Sequence, residues 1–128
     1  MSETVREWVD KSEGDYRTAV REFDVTDYPN YDAVCFHAQQ CVEKLMKAVL
    51  MSRNVVPPRT HALVVLDELV RSVVPMWSWP LADLRLLDRA AVTFRYPGES
   101  ADKEEAEDAL RAAAALRDKL TELLNGGS

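Results

Sequence analysis

The sequence of 128 residues is poor in the residue types that most enzymes use, with four glycines, two cysteines and two histidines. It contains no glycine-rich phosphate loop, no Cys-x-x-Cys, no His-Glu-x-x-His and no Glu-x-x-His pair, so the motifs of phosphate-loop enzymes, metalloproteases and di-iron bundles are absent. We therefore expect no metal and no cofactor. Cys35 and Cys41 are six residues apart on one predicted helix, about 9 Å along its axis, which is too far for a disulfide within that helix. Both are predicted to be buried free thiols.

Long hydrophobic runs are also missing. No apolar stretch approaches the ~20 residues needed to cross a bilayer, and the charged start lacks the apolar core of a secretory signal. These features predict a soluble, cytoplasmic protein with no membrane contact. Acidic residues outnumber basic ones by 22 to 16, which gives a net charge of −6. The surface as a whole should repel polyanions, so any nucleic-acid contact has to be local.

Apolar residues recur at spacings of three and four along most of the chain, which predicts amphipathic helices. We expect helices at about 3–23, 30–53, 60–73, 80–94 and 101–124, separated by short breaks, most of which contain proline. Asn30 and Thr60 are predicted to cap the second and third helices. This pattern predicts an all-α, antiparallel up-and-down bundle of about five helices. Residues 1–124 should form a single domain, and 125–128 a disordered tail.

The second predicted helix is the most informative segment, because polar and aromatic residues lie opposite its apolar stripe. The stripe consists of Val34, Ala38, Cys41, Val42, Leu45 and Val49. The opposite face carries Phe36, Gln40, Glu43, Lys47 and Met51. An aromatic ring, an amide, two charges and a thioether form an unusual solvent surface. We predict that this face is the interface of a homodimer.

Two smaller groups of residues could bind an anion. His37 and Lys44 share one flank of the second helix, although a histidine and a snorkelling lysine at the edge of a packed helix explain the pattern more simply. His61 follows Thr60 at the expected start of the third helix, where the amide groups could bind phosphate. The simpler interpretation is that Thr60 caps the helix and His61 folds back onto the loop.

Arg95 and Tyr96 end the fourth predicted helix, just before a Pro-Gly turn. A guanidinium and an aromatic ring at this point could pair with a phosphate and stack on a nucleobase. A cation at a helix C-terminus is also favoured by the helix dipole, which needs no ligand. Both interpretations remain open at this stage.

Taken together, these motifs resemble the HEPN domain, and the resemblance extends over nearly the whole chain. The residues that carry it are Trp8 and Asp15, the segment 36–48 with its QQ-x-x-EK-x-x-KA pattern, Thr60 and His61, and Arg95, Tyr96 and Pro97. The resemblance implies an antiparallel bundle similar to the C-terminal domain of kanamycin nucleotidyltransferase, commonly dimeric. Stand-alone members are often encoded beside a minimal nucleotidyltransferase, as a toxin and antitoxin or as a split nucleotidyl-transfer system.

Many HEPN proteins are metal-independent RNases with an R-x4-6-H motif, and this sequence departs from that motif. The histidine would be expected near Ser100, Ala101 or Asp102, and none is there. Without that imidazole there is no evident acid or base, so we expect no catalytic residues and no enzyme activity by this chain alone.

The resulting hypothesis is an accessory protein that dimerises and binds a nucleotide or RNA, a minimal nucleotidyltransferase partner, or both. The candidate nucleotide contacts are Arg95, Tyr96, His37, Lys44 and His61. One alternative is an RNase toxin with a displaced catalytic set, such as Arg95 with His37 or His61. Another is a purely structural oligomerisation module.

Overall fold

Five α-helices account for the regular secondary structure of the described residues, which are 1–93 and 96–126 in the computed structural model. The helices are α1 (Glu3–Phe23), α2 (Tyr31–Ser52), α3 (Leu63–Val73), α4 (Leu81–Thr93) and α5 (Lys103–Leu124). The described part of the chain has no strand. The all-α bundle predicted from the apolar periodicity is therefore confirmed.

Helix α2 is the centre of the bundle, because it packs against each of the other four helices. Its predicted core stripe is completely buried: Val34, Ala38, Cys41, Val42, Leu45 and Val49 are all 0% exposed. Helix α1 packs along α2 after a connection of seven residues, so the two run antiparallel. The stripe that defines the core is thus visible in the sequence of one helix.

Both cysteines are free and buried, as predicted. Burial raises the pKa of Cys35 to about 12 and that of Cys41 to about 11. The hydroxyl of Ser12 on α1 donates to the Cys41 carbonyl at 2.8 Å and to Cys41 Sγ at 3.3 Å. Cys41 thus belongs to the α1–α2 interface, and burial leaves neither thiol with reactive character.

The helix ends follow the predicted chemistry at α2 and depart from it at α3. Asn30 caps α2, its side chain accepting from the amide of Ala33 at 3.0 Å. The expected Thr60 cap of α3 is wrong, because the helix begins only at Leu63 and the Thr60 hydroxyl accepts from the amide of Ala62. The Leu63 amide instead donates to the carboxylate of Asp88 on α4, at 3.0 and 2.9 Å. A neighbouring helix supplies the acceptor that local sequence was expected to provide.

Helix α5 is preceded by a turn and is capped at both ends. Gly98 has a φ of +94°, a conformation that glycine adopts without strain, and it lies in the turn before α5. A capping box between Asp102 and Glu105 starts α5, and Asn125 caps its end.

Residues 127 and 128 of the expected tail lie outside the described residues. No helix in the described part of the chain is long and apolar enough to cross a membrane.

Candidate functional site

The polar face of α2 is not the continuous solvent surface that was expected. Glu43 and Lys47 of this face form an ion pair, 3.0 Å from Lys47 Nζ to Glu43 Oε2, but they are only 3% and 7% exposed. Trp8 of α1 lies against Lys47, with the ammonium 5.7 Å from its ring centroid, and His61 of the α2–α3 connection contacts Glu43. The expectation that these two charges lie on a solvent surface is wrong, because residues from outside the helix cover them.

His61, Glu43 and Lys47 form a group that we call the His61 cluster. Nδ1 of His61 lies 3.1 Å from both carboxylate oxygens of Glu43, which also accepts from Lys47. The His61 side chain is 80% exposed, whereas the carboxylate that holds it is buried. Because a carboxylate accepts, Nδ1 donates, and in the neutral ring Nε2 is then the atom without a proton. A buried acid therefore orients an exposed imidazole.

Two adjacent glutamines connect this cluster to α4. Gln39 Nε2 donates to the His61 carbonyl at 2.7 Å and to Asp88 Oδ1 at 3.2 Å. Gln40 Nε2 donates to Gln39 Oε1 at 3.0 Å and to Glu43 Oε1 at 3.1 Å. The paired glutamines thus tie α2, the α2–α3 connection and α4 into one hydrogen-bond network.

A cavity of about 390 Å³ lies beside this network. It is lined by Phe36, Gln39, Gln40, His61, Ala62, Asp88, Ala91 and Val92. Phe36 and Val92 remain 38% and 55% exposed. The volume is in the range of small-ligand sites, which are mostly apolar with a few placed polar groups. The fold therefore brings together three of the residues predicted from sequence, Phe36, Gln40 and His61.

His37 and Lys44 do not line this cavity, and they form a second group that we call the His37 cluster. Both contact Asp15 of α1: His37 Nδ1 lies 2.8 Å from Asp15 Oδ1, and Lys44 Nζ lies 2.5 Å from Asp15 Oδ2. The flank that could have held an anion therefore already holds a carboxylate of the same chain. The ring of His37 also packs edge-on against Phe36, with centroids 5.3 Å apart.

The other predicted site residues are more scattered. Tyr96 is 61% exposed, while Arg95 lies outside the described residues. Met51 is half-buried and lines a separate groove with Val5 and Leu123. It is therefore not part of the surface around Phe36.

Sequence reasoning missed Asp88 and the role of Gln39. Asp88 lies beside the apolar stripe of α4, and its partners Leu63 and Gln39 are 25 and 49 residues away along the chain. No local spacing could reveal those contacts. The one indication in the sequence is that Asp88 lies next to the apolar stripe of α4, where a carboxylate is less expected than on the solvent-facing side of a helix.

A larger groove of about 1030 Å³ lies elsewhere, next to the stacked rings of Trp77 and Trp79. Both indole nitrogens donate to aspartates on α3 and α4, so neither is available to a ligand. Arg117 there binds Glu13 through two hydrogen bonds of 2.7 and 2.8 Å, which lowers the pKa of Glu13 and raises that of Arg117. Among the described residues, no group of His, Cys, Asp or Glu is arranged to hold a metal ion.

Comparisons with known proteins agree with this architecture. The family model described as the HEPN domain matches residues 5–123, so the chain belongs to the HEPN domain family. A crystal structure of a protein from Thermus thermophilus is similar at a TM-score of 0.78 and 22% identity, covering 95% of this chain and 99% of that one. An archaeal HEPN homologue has a TM-score of 0.66 at 19% identity, covering 91% and 94%. No curated protein matches the sequence.

Proposed function

We propose that this HEPN protein is an accessory protein of the cytoplasm that dimerises and binds a nucleotide in the cavity beside His61. The observation that carries the proposal is the fixed geometry of the His61 cluster, in which a buried carboxylate holds an exposed imidazole at the edge of a cavity of suitable size. Buried charge is costly unless it is paired and positioned, so a network of this kind is expected where a site has to be held in one arrangement.

The nucleotide would be held by groups of different chemistry. Phe36 and Val92 provide apolar contact for a base, and His61 and Gln40 provide polar contacts. Arg95 and Tyr96 remain the proposed contacts for phosphate and for stacking, since Arg95 is three residues after Val92 and a guanidinium suits phosphate. His37 and Lys44 enter the proposal only as neighbours that shape the Phe36 side.

Amide chemical shifts recorded during a titration with ATP would test this binding. We expect shifts at Phe36, Gln40 and His61, and their loss in His61→Ala. Arg111→Ala, a change of an exposed cation on α5, is the control and should bind as the wild type does. Absence of any shift around the cavity would contradict nucleotide binding and leave the structural oligomerisation module as the better interpretation.

The homodimer is proposed to form through the apolar rim of the same cavity. Two exposed residues, Phe36 and Val92, lie at this cavity, and the exposed Tyr96 follows Val92 by four residues in the sequence. Large apolar side chains that are exposed together mark contact surfaces. Gln40 can contact the second protomer directly. Glu43 and Lys47 are buried within their own protomer, so they can only hold the interface residues in position. Met51 would have to contribute from another part of the surface.

Light scattering at tens of micromolar protein would measure this association. The wild type is expected to be a dimer, and Phe36→Glu a monomer because a charge enters the interface. Met76→Glu changes an equally apolar and more exposed side chain in the distant groove, so it should remain dimeric. A monomeric wild type would count against the interface.

The family resemblance also supports a minimal nucleotidyltransferase as the partner, in a toxin and antitoxin pair or a split nucleotidyl-transfer system. A reading frame for such an enzyme beside the gene of this protein is the first observation to seek. Co-purification of the two products would support the partnership. Failure of two well-folded products to associate would contradict it.

The second candidate function is a metal-independent RNase with a displaced catalytic set. It is favoured by one observation: Nδ1 of His61 is held by Glu43, which leaves Nε2 to take a proton from a ribose hydroxyl. RNA cleavage in EDTA that disappears in both His61→Ala and Arg95→Ala would establish this activity. An inert wild type would exclude it and favour the accessory role.

A further inference from the structure

We infer that the cavity selects nucleotides whose base carries an amino group in place of a carbonyl group, such as adenine and cytosine. This inference rests on the proposed function and names its ligand class. It comes from the direction of the hydrogen bonds in the network. Among the side chains that the structure describes, those directions leave only acceptors facing the cavity.

The two glutamine amides use all of their donors within the protein. The two N–H groups of Gln39 go to the His61 carbonyl and Asp88, and the two of Gln40 go to Gln39 Oε1 and Glu43. The amide orientations follow from these partners, because turning Gln40 over would set its oxygen against two other acceptors. Gln40 Oε1 is therefore left as an acceptor at the cavity.

The other two polar side chains of the lining are acceptors as well. Asp88 is a carboxylate whose Oδ1 accepts from the Leu63 amide and from Gln39, while Oδ2 accepts only from the Leu63 amide and has capacity for a further donor. Neutral His61 donates through Nδ1 to Glu43, so its Nε2 accepts. Gln40, Asp88 and His61 thus present oxygen or nitrogen lone pairs and no free side-chain N–H.

This lining discriminates between bases. The described side chains of the lining offer only acceptors to a phosphate, so we expect the phosphate to lie outside the cavity. A base can rest against Phe36, since stacking on an aromatic ring accepts any base. The edge of the base then decides. An amino group beside an unprotonated ring nitrogen offers these acceptors two N–H groups, whereas a carbonyl beside a ring N–H offers one and sets its oxygen against an acceptor.

Two matched pairs of nucleotides test the inference: AMP against IMP, and CMP against UMP. Within each pair, an amino group beside an unprotonated ring nitrogen is replaced by a carbonyl group beside a ring N–H, so the amino member has one more N–H donor. Calorimetric titrations at pH 8, above the range in which histidine is usually protonated, should show the amino member binding roughly tenfold tighter, the effect of one unpaired buried group. Equal affinities within both pairs would overturn the selectivity while leaving nucleotide binding intact. Failure of all four to bind would overturn the proposed function itself.

A variant locates the preference. Gln40→Met keeps a side chain of similar length but removes the acceptor, so we expect the ratio of AMP to IMP affinity to fall toward one. The readout is a ratio, so a general loss of affinity does not imitate it, and thermal unfolding checks that the variant is folded. Arg111→Ala should keep the wild-type ratio. A full preference retained in Gln40→Met would contradict the role of Gln40 Oε1.

Discussion

The two histidines of this protein lie in clusters that combine the same chemical groups, an imidazole, a carboxylate and an ammonium, in different places of the fold. Each imidazole contacts a carboxylate through Nδ1, and each carboxylate also binds a lysine of α2. In the His37 cluster all three side chains come from the packed helices α1 and α2. In the His61 cluster the acid and the lysine are buried in α2, and the histidine comes from the α2–α3 connection.

The difference in exposure separates their roles. His37 is 30% exposed and His61 is 80% exposed, although the acid that holds His61 is the more deeply buried of the two. The His37 cluster joins two helices and therefore behaves as a structural tie. The His61 cluster uses a buried charge pair to position a group that solvent and ligands can reach. The same three chemical groups, an imidazole, a carboxylate and an ammonium, thus stabilise the helix packing in one place and form a candidate site in the other.

The largest expected effect is on stability when the acid of each cluster is removed. Glu43→Ala leaves Lys47 buried without its partner and should lower the free energy of unfolding by about 3–5 kcal/mol. Asp15→Ala should cost less, about 1–2 kcal/mol, because its partners can regain water. Urea unfolding measures both. Equal costs would show that the two clusters do not differ in burial as described.

The next effect is a separation of binding from stability between the two histidines. His61→Ala should weaken AMP binding by about tenfold or more, the value of one lost polar contact in a site, and change stability little. His37→Ala should weaken AMP binding much less than His61→Ala does, since His37 only packs against Phe36, and should lose stability instead. Calorimetry and urea unfolding on both variants give the four values. Loss of binding in His37→Ala would return His37 to the nucleotide site.

A smaller effect concerns the cap that holds the connection before α3. Asp88→Ala removes the acceptor for the Leu63 amide and should cost about 1–2 kcal/mol, near the upper end for a cap. Asn30→Ala, an ordinary cap at the start of α2, is the reference at about 1 kcal/mol. Only Asp88→Ala should also speed hydrogen exchange around His61. Unchanged exchange there would mean that Asp88 does not hold the connection.

The smallest effect is expected for a pair outside both clusters, Glu13 and Arg117. It shows how much an ion pair contributes to the free energy of unfolding when it is less buried than the Glu43–Lys47 pair. Since the pKa of Glu13 is lowered by Arg117, its stabilisation is present above the ordinary glutamate pKa and is lost as the pH falls through the lowered value. Glu13→Gln should therefore cost about 0.5–1 kcal/mol at pH 7 and approach zero in acid. A cost that persists in acid would indicate packing and not charge.

Local sequence patterns were sufficient to predict the helices and the core stripe of α2. The spacing of Val34, Ala38 and Leu45 placed the core stripe of α2 correctly, and Asn30 was identified as a cap, because both depend on residues within one or two helical turns. The family resemblance is likewise confirmed by the match over residues 5–123. The candidate nucleotide and interface residues stay predictions until binding and association are measured.

The tertiary structure decided what those helices could not show by themselves. Helical spacing set Glu43 and Lys47 on a face opposite the core, but Trp8 and His61, far from them in sequence, cover that face and turn it into a buried charge pair. Asp88 became the cap of α3 through a contact 25 residues away. Periodicity reports only neighbours within a helix, whereas a site is assembled from contacts between helices and connections, and those exist only once the chain has folded.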